Sequence, residues 1–256
     1  MFRLITVVFT VLVLAVSCTT VMAEETNPEV RALLDQGWEH VKLMHIDLGN
    51  LDKAEALYAK ALEIKPDSVE ANWRMAEVLF KIADNKPMSE DETTATFVKG
   101  LDYAGKSLEL EPDNAGGLFW SGCINGQMAR RVGVLKALGK VKAAKKDLHT
   151  LVEKYPDHRY ATISYAILGA IYSSTPWPMK DMDKALEYGQ TAVKRDPKLS
   201  FASVELAMVY MKDKEYEKAR AELNRCLEVK DPTYIWDSTL KNWPKAKQLL
   251  EEIKDK

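Results

Sequence analysis

Apolar residues recur at helical spacing along most of the chain, and prolines interrupt them at intervals of 35 to 46 residues. Five times an amphipathic run ends in a polar residue followed by proline, at Pro66, Pro112, Pro156, Pro197 and Pro232. Proline ends a helix because it lacks an N–H donor and its ring collides with the preceding turn, and a following Asp or Asn can cap the next helix. The pattern predicts an all-α chain of successive helix pairs.

Small and aromatic residues recur at fixed positions inside these units. The first and fourth units carry them most completely, as Trp38, Ala54, Tyr58 and Ala61 before Pro66, and as Tyr165, Leu168, Gly169, Tyr172, Ala185 and Ala192 before Pro197. This spacing resembles the tetratricopeptide repeat, a helix hairpin of about 34 residues. Small residues let the paired helices approach closely, and stacked hairpins bury a core that one hairpin cannot bury alone. We expect a tetratricopeptide-like helix-hairpin solenoid of about five units, with a C-terminal capping helix within residues 243–256.

Two stretches are longer than the repeat requires. Residues 84–93 are polar and contain Pro87, which predicts a surface loop. Residues 117–155 contain no proline and remain amphipathic. We therefore expect both helices of the third unit to be long, with a bend near residues 130–133.

A third insertion lies in the fourth unit, at residues 173–182. It contains Pro176, Trp177 and Pro178. Two prolines stiffen the predicted loop, because each fixes one backbone dihedral angle. Trp177 either forms part of a lid that contacts a ligand or partner, or folds back over the open end of the helix pair.

The first 23 residues have the pattern of an export signal. One basic residue precedes the apolar run of residues 4–16, which is shorter than the roughly 20 residues of a membrane-spanning helix. Cleavage after Ala23 would release residues 24–256 as the repeat domain. The alternative is a lipobox-like sequence, AVSC, in which lipid attached to Cys18 would tether the chain to a membrane. We expect a periplasmic protein, either released or anchored to the outer membrane as a lipoprotein.

Composition narrows the class of function. The chain has 36 basic and 38 acidic residues, which is not the balance of a nucleic-acid-binding protein. Apart from Cys18, the cysteines are Cys123 and Cys226, which fall in different units and are expected to be buried free thiols. The four histidines lack metal-ligand spacing, and the glycines match no phosphate or nicotinamide motif. We predict a binding protein without metal or cofactor, not an enzyme.

The third helix pair is the best candidate for contact with a ligand or partner. Polar side chains occur there among apolar neighbours, at Trp120, Asn125, Gln127, Arg130 and Arg131. Helical periodicity predicts that Trp120, Gln127 and Arg131 share a face and that Asn125 lies off it. Buried polar groups need partners, so these residues form either a binding groove or an internal hydrogen-bond network.

Several segments together carry a narrower resemblance. They are Leu108–Asn114, Phe119-Trp120, Gly133–Leu138, Pro176-Trp177-Pro178 and Asp183–Leu186. The chain resembles the T components of TRAP transporters, whose eukaryotic relatives include regulators of microtubule dynamics. The resemblance implies a periplasmic accessory protein that binds the solute-binding protein of a TRAP transporter, with a small or lipid-like ligand as a further guest. A general envelope scaffold that docks protein segments is the alternative, and self-association into a homo-oligomer is left open.

Overall fold

A computed structural model describes residues 27–176 and 178–256 of the chain. In this part the secondary structure is helical, without strands. The predicted signal segment with Cys18 and Ala23, and the loop residue Trp177, lie outside the described residues. Among the described helices, none combines the length and the apolarity that crossing a bilayer requires.

Ten helices form five antiparallel hairpins, and a short C-terminal region follows. The helices are α1 (Pro28–Lys42), α2 (Gly49–Ile64), α3 (Val69–Asn85), α4 (Glu90–Leu110), α5 (Ala115–Ala129), α6 (Val134–Lys154), α7 (Arg159–Ser174), α8 (Met182–Arg195), α9 (Ser200–Lys212) and α10 (Tyr216–Glu228). A short helix α11 (Ile235–Asp237), a π-helical turn (Ser238–Asn242) and α12 (Trp243–Glu252) complete the described chain. The predicted solenoid of about five units with a C-terminal capping helix is confirmed.

The prolines mark the ends of the second helix of each hairpin, as the pattern predicts. Each of the five follows the end of α2, α4, α6, α8 or α10 within four residues. The next helix is then capped by a polar side chain in several units. The Ser68 hydroxyl accepts from the Ala71 amide at 3.2 Å, and the Asn114 side chain accepts from the Gly117 amide at 3.1 Å. These caps satisfy amides that a helix start leaves without an internal partner.

The loop predicted over residues 84–93 is wrong at both ends. Helix α3 continues to Asn85, and α4 begins at Glu90. The cause is a capping box, in which Ser89 and Glu92 each bond the other's backbone amide. The extra residues of the second unit therefore lengthen a helix more than a loop.

The third unit matches its prediction in part. The bend at residues 130–133 separates α5 from α6, as expected, and α6 has 21 residues. Helix α5 has only 15 residues and is not unusually long. The insertion in this unit is therefore carried by its second helix.

The two ends of the solenoid meet, which a strictly nearest-neighbour stack would not allow. Residues 234–242, here called the closure segment, cross the concave side to the first two hairpins. Trp236 packs edge-on against Trp38 with ring centroids 5.5 Å apart, and Lys81 Nζ lies 3.4 Å from Asp237 Oδ1. Lys241 pairs with Asp84 at 3.4 Å. The stack therefore curves into a closed arc.

Candidate functional site

The concave side of the arc forms a partly open cavity of about 1140 Å³. Its wall is built from the first helices of the hairpins, α1, α3, α5, α7 and α9, together with the start of α6, the closure segment and α12. Ligand pockets commonly have volumes of roughly 300–1,000 Å³ and mostly apolar walls with a few polar groups. This cavity has the size and the lining of a site for a whole small molecule.

Aromatic side chains form one wall of the cavity. The rings of Phe119 and Tyr160 stack at 4.2 Å between centroids, and Trp120 lies 5.4 Å from Phe80 and 6.0 Å from Tyr160. The Lys81 ammonium lies 5.8 Å from the Trp120 ring centroid. Such a wall offers a large apolar contact area, because aromatic rings bury much surface with few rotatable bonds.

Three of the predicted contact residues line this cavity, namely Trp120, Gln127 and Arg130. Asn125 does not line it. Its side-chain amide donates to the Ser121 carbonyl at 3.0 Å, and the Ser121 hydroxyl donates to Asp147 Oδ2 at 2.7 Å. Asn125 is therefore part of an internal hydrogen-bond network and not of a binding groove.

The prediction that Arg131 shares a face with Trp120 and Gln127 is wrong. The Arg131 guanidinium lies 5.0 Å from the Phe97 ring centroid, with Nε 3.5 Å from Glu90 Oε2, on the side of α4. Helix α5 ends at Ala129, so the helical period no longer applies to the residues after it. Arg130 faces the cavity instead. That Trp120, Gln127 and Arg130 contact a ligand stays a prediction. The predicted contact residue Trp177 lies outside the described residues.

A half-buried acid on α9, Glu205, belongs to the cavity, and the sequence pattern did not single it out. Oε2 of Glu205 is shielded from solvent and has no hydrogen-bond partner within the described residues. Burial raises the pKa of Glu205 to about 7, against the opposing effect of Arg130, Lys212 and Lys245. In the sequence, the sign of this site is a single acidic residue within the mostly apolar residues 201–211. All four side chains line the cavity.

Replacement of Glu205 by glutamine should stabilise the protein at alkaline pH. The pKa of this acid is about 7 in the folded chain and 4.5 ordinarily, so the unfolded chain ionises first as pH rises. Stability therefore falls between about pH 4.5 and 7, and the loss is complete above pH 7. We expect the Glu205→Gln protein to exceed the wild type in unfolding free energy by on the order of 2 kcal/mol at pH 8, with little gain near pH 4.5. Urea unfolding across this range measures the difference. The exposed Glu63→Gln protein serves as control, and a gain independent of pH would contradict the assignment.

The two thiols are free and buried, as predicted. Cys123 lines the cavity, and burial raises its pKa well above the ordinary value. Cys226 lies in the C-terminal core, where burial raises its pKa to about 11. Thiols in this state are poor nucleophiles, since the reactive form is the thiolate. No cluster of three or more potential metal-ligating side chains occurs in the described part of the chain.

Comparison with known proteins identifies the family. The model described as regulator of microtubule dynamics protein 1-3 matches residues 42–170, half of the chain. The chain belongs to this family. Its matched region contains α2 to α6 and most of α7, and therefore the aromatic wall of the cavity. A tetratricopeptide repeat model matches residues 202–232, which contain most of the α9–α10 hairpin.

Solved structures agree on the fold. A tetratricopeptide-repeat protein of the thermophile Thermus thermophilus superposes with a TM-score of 0.65 at 17% identity, covering 84% of this chain and 98% of that one. MamA of Desulfovibrio magneticus superposes with a TM-score of 0.50 at 14% identity, covering 80% and 97%. No curated protein sequence matches the chain. The fold is that of tetratricopeptide-repeat proteins, which generally serve as non-enzymatic scaffolds with concave surfaces for binding.

Proposed function

We propose that this protein is a non-catalytic, exported T component of a TRAP-type transporter. It holds a small or lipid-like ligand in the central cavity and binds the solute-binding protein of the transporter. The observation that carries the proposal is the closed arc. An extended peptide needs an open concave groove, whereas here the closure segment covers one end of the concave side and leaves a chamber suited to a compact guest.

Apolar residues at the start of α6 support a docking surface for the solute-binding protein. Leu135 is 86% exposed, and its neighbour Leu138 lines the cavity. The loop residues Pro176 and Met179 line the same part of the wall. A ligand that passes between two binding proteins has to leave through an opening that the partner covers. Exposed apolar surface beside the cavity is suited to such a partner.

A titration with the purified solute-binding protein of the same organism tests the docking. We expect the Leu135→Glu protein to bind the solute-binding protein at least about tenfold more weakly than the wild type, since a charge in the interface is desolvated without a partner. Ile46, which is 71% exposed in the α1–α2 turn, provides the matched control, and Ile46→Glu should bind normally. Absence of a complex with the wild type, or equal loss in both variants, would refute the docking proposal.

Export to the periplasm is part of the same proposal. The apolar run of residues 4–16 and the two cleavage points, after Ala23 and before Cys18, support it. Mass measurement of the mature N-terminus, combined with cell fractionation, distinguishes a released protein from a lipid-anchored one. A mature chain that retains Met1 would contradict export by either route.

A general envelope scaffold is the second candidate function. The tetratricopeptide repeat match over residues 202–232 favours it, because such repeats present surfaces for protein segments. Under this alternative the purified protein would bind extended peptides and would not bind the solute-binding protein. Native mass spectrometry with both kinds of partner separates the two functions.

A further inference from the structure

Charge is distributed unevenly around the cavity. Near the closure segment, cationic and acidic side chains are matched, since Lys81 pairs with Asp237 and Lys241 pairs with Asp84. Glu77 likewise lies 3.5 Å from Arg74. These pairs neutralise one another. Arg159 also lines the cavity on this side, where its guanidinium stacks on the rings of Trp38 and Tyr160 and donates to the Tyr160 hydroxyl at 2.9 Å.

Elsewhere, three cations and one acid line the cavity. Arg130 directly follows α5, Lys212 ends α9, and Lys245 lies in α12, while Glu205 is the acid that all three affect electrostatically. Glu205 and Lys212 are seven residues apart on α9 and so project from the same side of the helix. We call these four residues the cationic cluster.

None of the three cations is neutralised by Glu205 in a direct ion pair. Within the described residues, the carboxylate of Glu205 makes no hydrogen bond or ion pair, and Lys212 Nζ instead donates to the hydroxyls of Ser173 at 3.1 Å and Ser174 at 2.6 Å. Lys245 Nζ donates to Gln248 at 3.3 Å. The cationic cluster therefore has a surplus of positive charge and unused donor capacity that face the cavity.

We propose that the cationic cluster binds the anionic head group of an amphiphile whose apolar body lies along the aromatic wall of the cavity. This inference rests on the proposed function of the cavity as a ligand site. Carboxylate and phosphate share the chemistry that Arg130 recognises, because a guanidinium donates two parallel hydrogen bonds to either. An anion buried beside apolar surface needs such partners, since desolvation otherwise opposes its binding.

Glu205 makes this binding dependent on protons. When it is protonated, Arg130, Lys212 and Lys245 face the head group without an opposing charge, and Glu205 can donate a hydrogen bond. When it is ionised, it repels the ligand and offsets part of the positive charge. Arg130, Lys212 and Lys245 are the charged groups that act on it, from the C-cap of α5, from α9 and from α12. Affinity for an anionic amphiphile should therefore fall as pH rises through about 7.

Binding of three probes to the purified mature protein tests the head-group site. The probes are palmitate, hexadecyl phosphate and hexadecanol, which share one chain and differ in the head group. We expect palmitate or hexadecyl phosphate to bind at least about tenfold more tightly than hexadecanol at pH 6, and the better of the two identifies the head group. Quenching of tryptophan fluorescence reports the binding, because Trp120 and Trp236 line the cavity.

Two adjacent arginines provide a matched pair of variants. Arg130→Gln should remove the preference for the anionic probe and leave hexadecanol binding unchanged, whereas Arg131→Gln should change neither, because its guanidinium lies outside the cavity. Circular dichroism checks that both variants fold. Equal weakening of the anionic and neutral probes by Arg130→Gln would overturn the head-group site.

The pH dependence of binding is a second, independent test of the head-group site. Palmitate should bind the wild type several-fold more weakly at pH 8 than at pH 6, and Glu205→Gln should abolish this difference. A difference that persists in Glu205→Gln would overturn the role of Glu205. If no probe binds while the solute-binding protein still does, the cavity proposal fails and the docking proposal stands.

Discussion

Replacement of Trp236 by alanine is expected to lower the unfolding free energy by about 3–5 kcal/mol, the usual range for removing a large buried aromatic side chain. Trp236 is only 7% exposed and belongs to the core cluster of the first two hairpins, although it lies near the C-terminus. Its loss leaves a cavity beside Trp38 and weakens the closure. We therefore expect the arc to open as well as to lose stability.

Urea unfolding and small-angle X-ray scattering measure these two effects. Trp243→Ala is the matched control, because Trp243 packs within the C-terminal cluster and its indole donates to the Cys226 carbonyl at 3.1 Å. That change should reduce stability without increasing the radius of gyration. An unchanged radius for Trp236→Ala, with the fold intact, would show that the closure segment does not hold the ends together.

Introduction of leucine at Gly169 should cost at least about 3 kcal/mol of stability, at the upper end of typical overpacking penalties. A Cβ atom at this position would lie 2.9 Å from the Ala185 carbonyl oxygen and 3.2 Å from the Gly189 amide nitrogen. Both are backbone atoms, so no side-chain rotation relieves the contact. Helices α7 and α8 would have to separate.

A substitution at Gly139 is expected to have the opposite effect on stability. It lies within α6, and a Cβ atom there would meet no atom within 4 Å. Gly139→Ala should therefore stabilise the protein by up to about 1 kcal/mol, because alanine favours a helix more than glycine does. Thermal unfolding of the two variants compares them directly. Similar shifts in both would contradict the close approach of α7 and α8.

The closed arc also links stability to the proposed ligand site. Opening the closure segment would expose the wall around Trp120 and Phe119 to solvent. Trp236→Ala should therefore weaken the binding of every amphiphile, neutral or anionic, in contrast to Arg130→Gln. The two variants separate the shape of the cavity from the charge at the cationic cluster.

Local interactions account for the features that the sequence predicted well. Proline positions, capping residues and apolar periodicity act within a few residues, so five hairpins and the bend at residues 130–133 follow from the chain itself. The same reasoning failed at residues 84–93, where the polar composition indicated a loop but the capping box started a helix. It failed again at Arg131, because the end of α5 changed the direction of the side chain.

By itself the sequence determined the helices, their pairing into repeats and the burial of both thiols, because each depends on short-range pattern and on packing within neighbouring units. Only the tertiary structure decided that the closure segment reaches the first hairpins and that Glu205 lines one cavity with Arg130, Lys212 and Lys245. Apart from Glu205 and Lys212, which share α9, these residues are far apart in the chain. Their proximity depends on the curvature accumulated over all the repeats, a sum of small rotations between hairpins that no local pattern records.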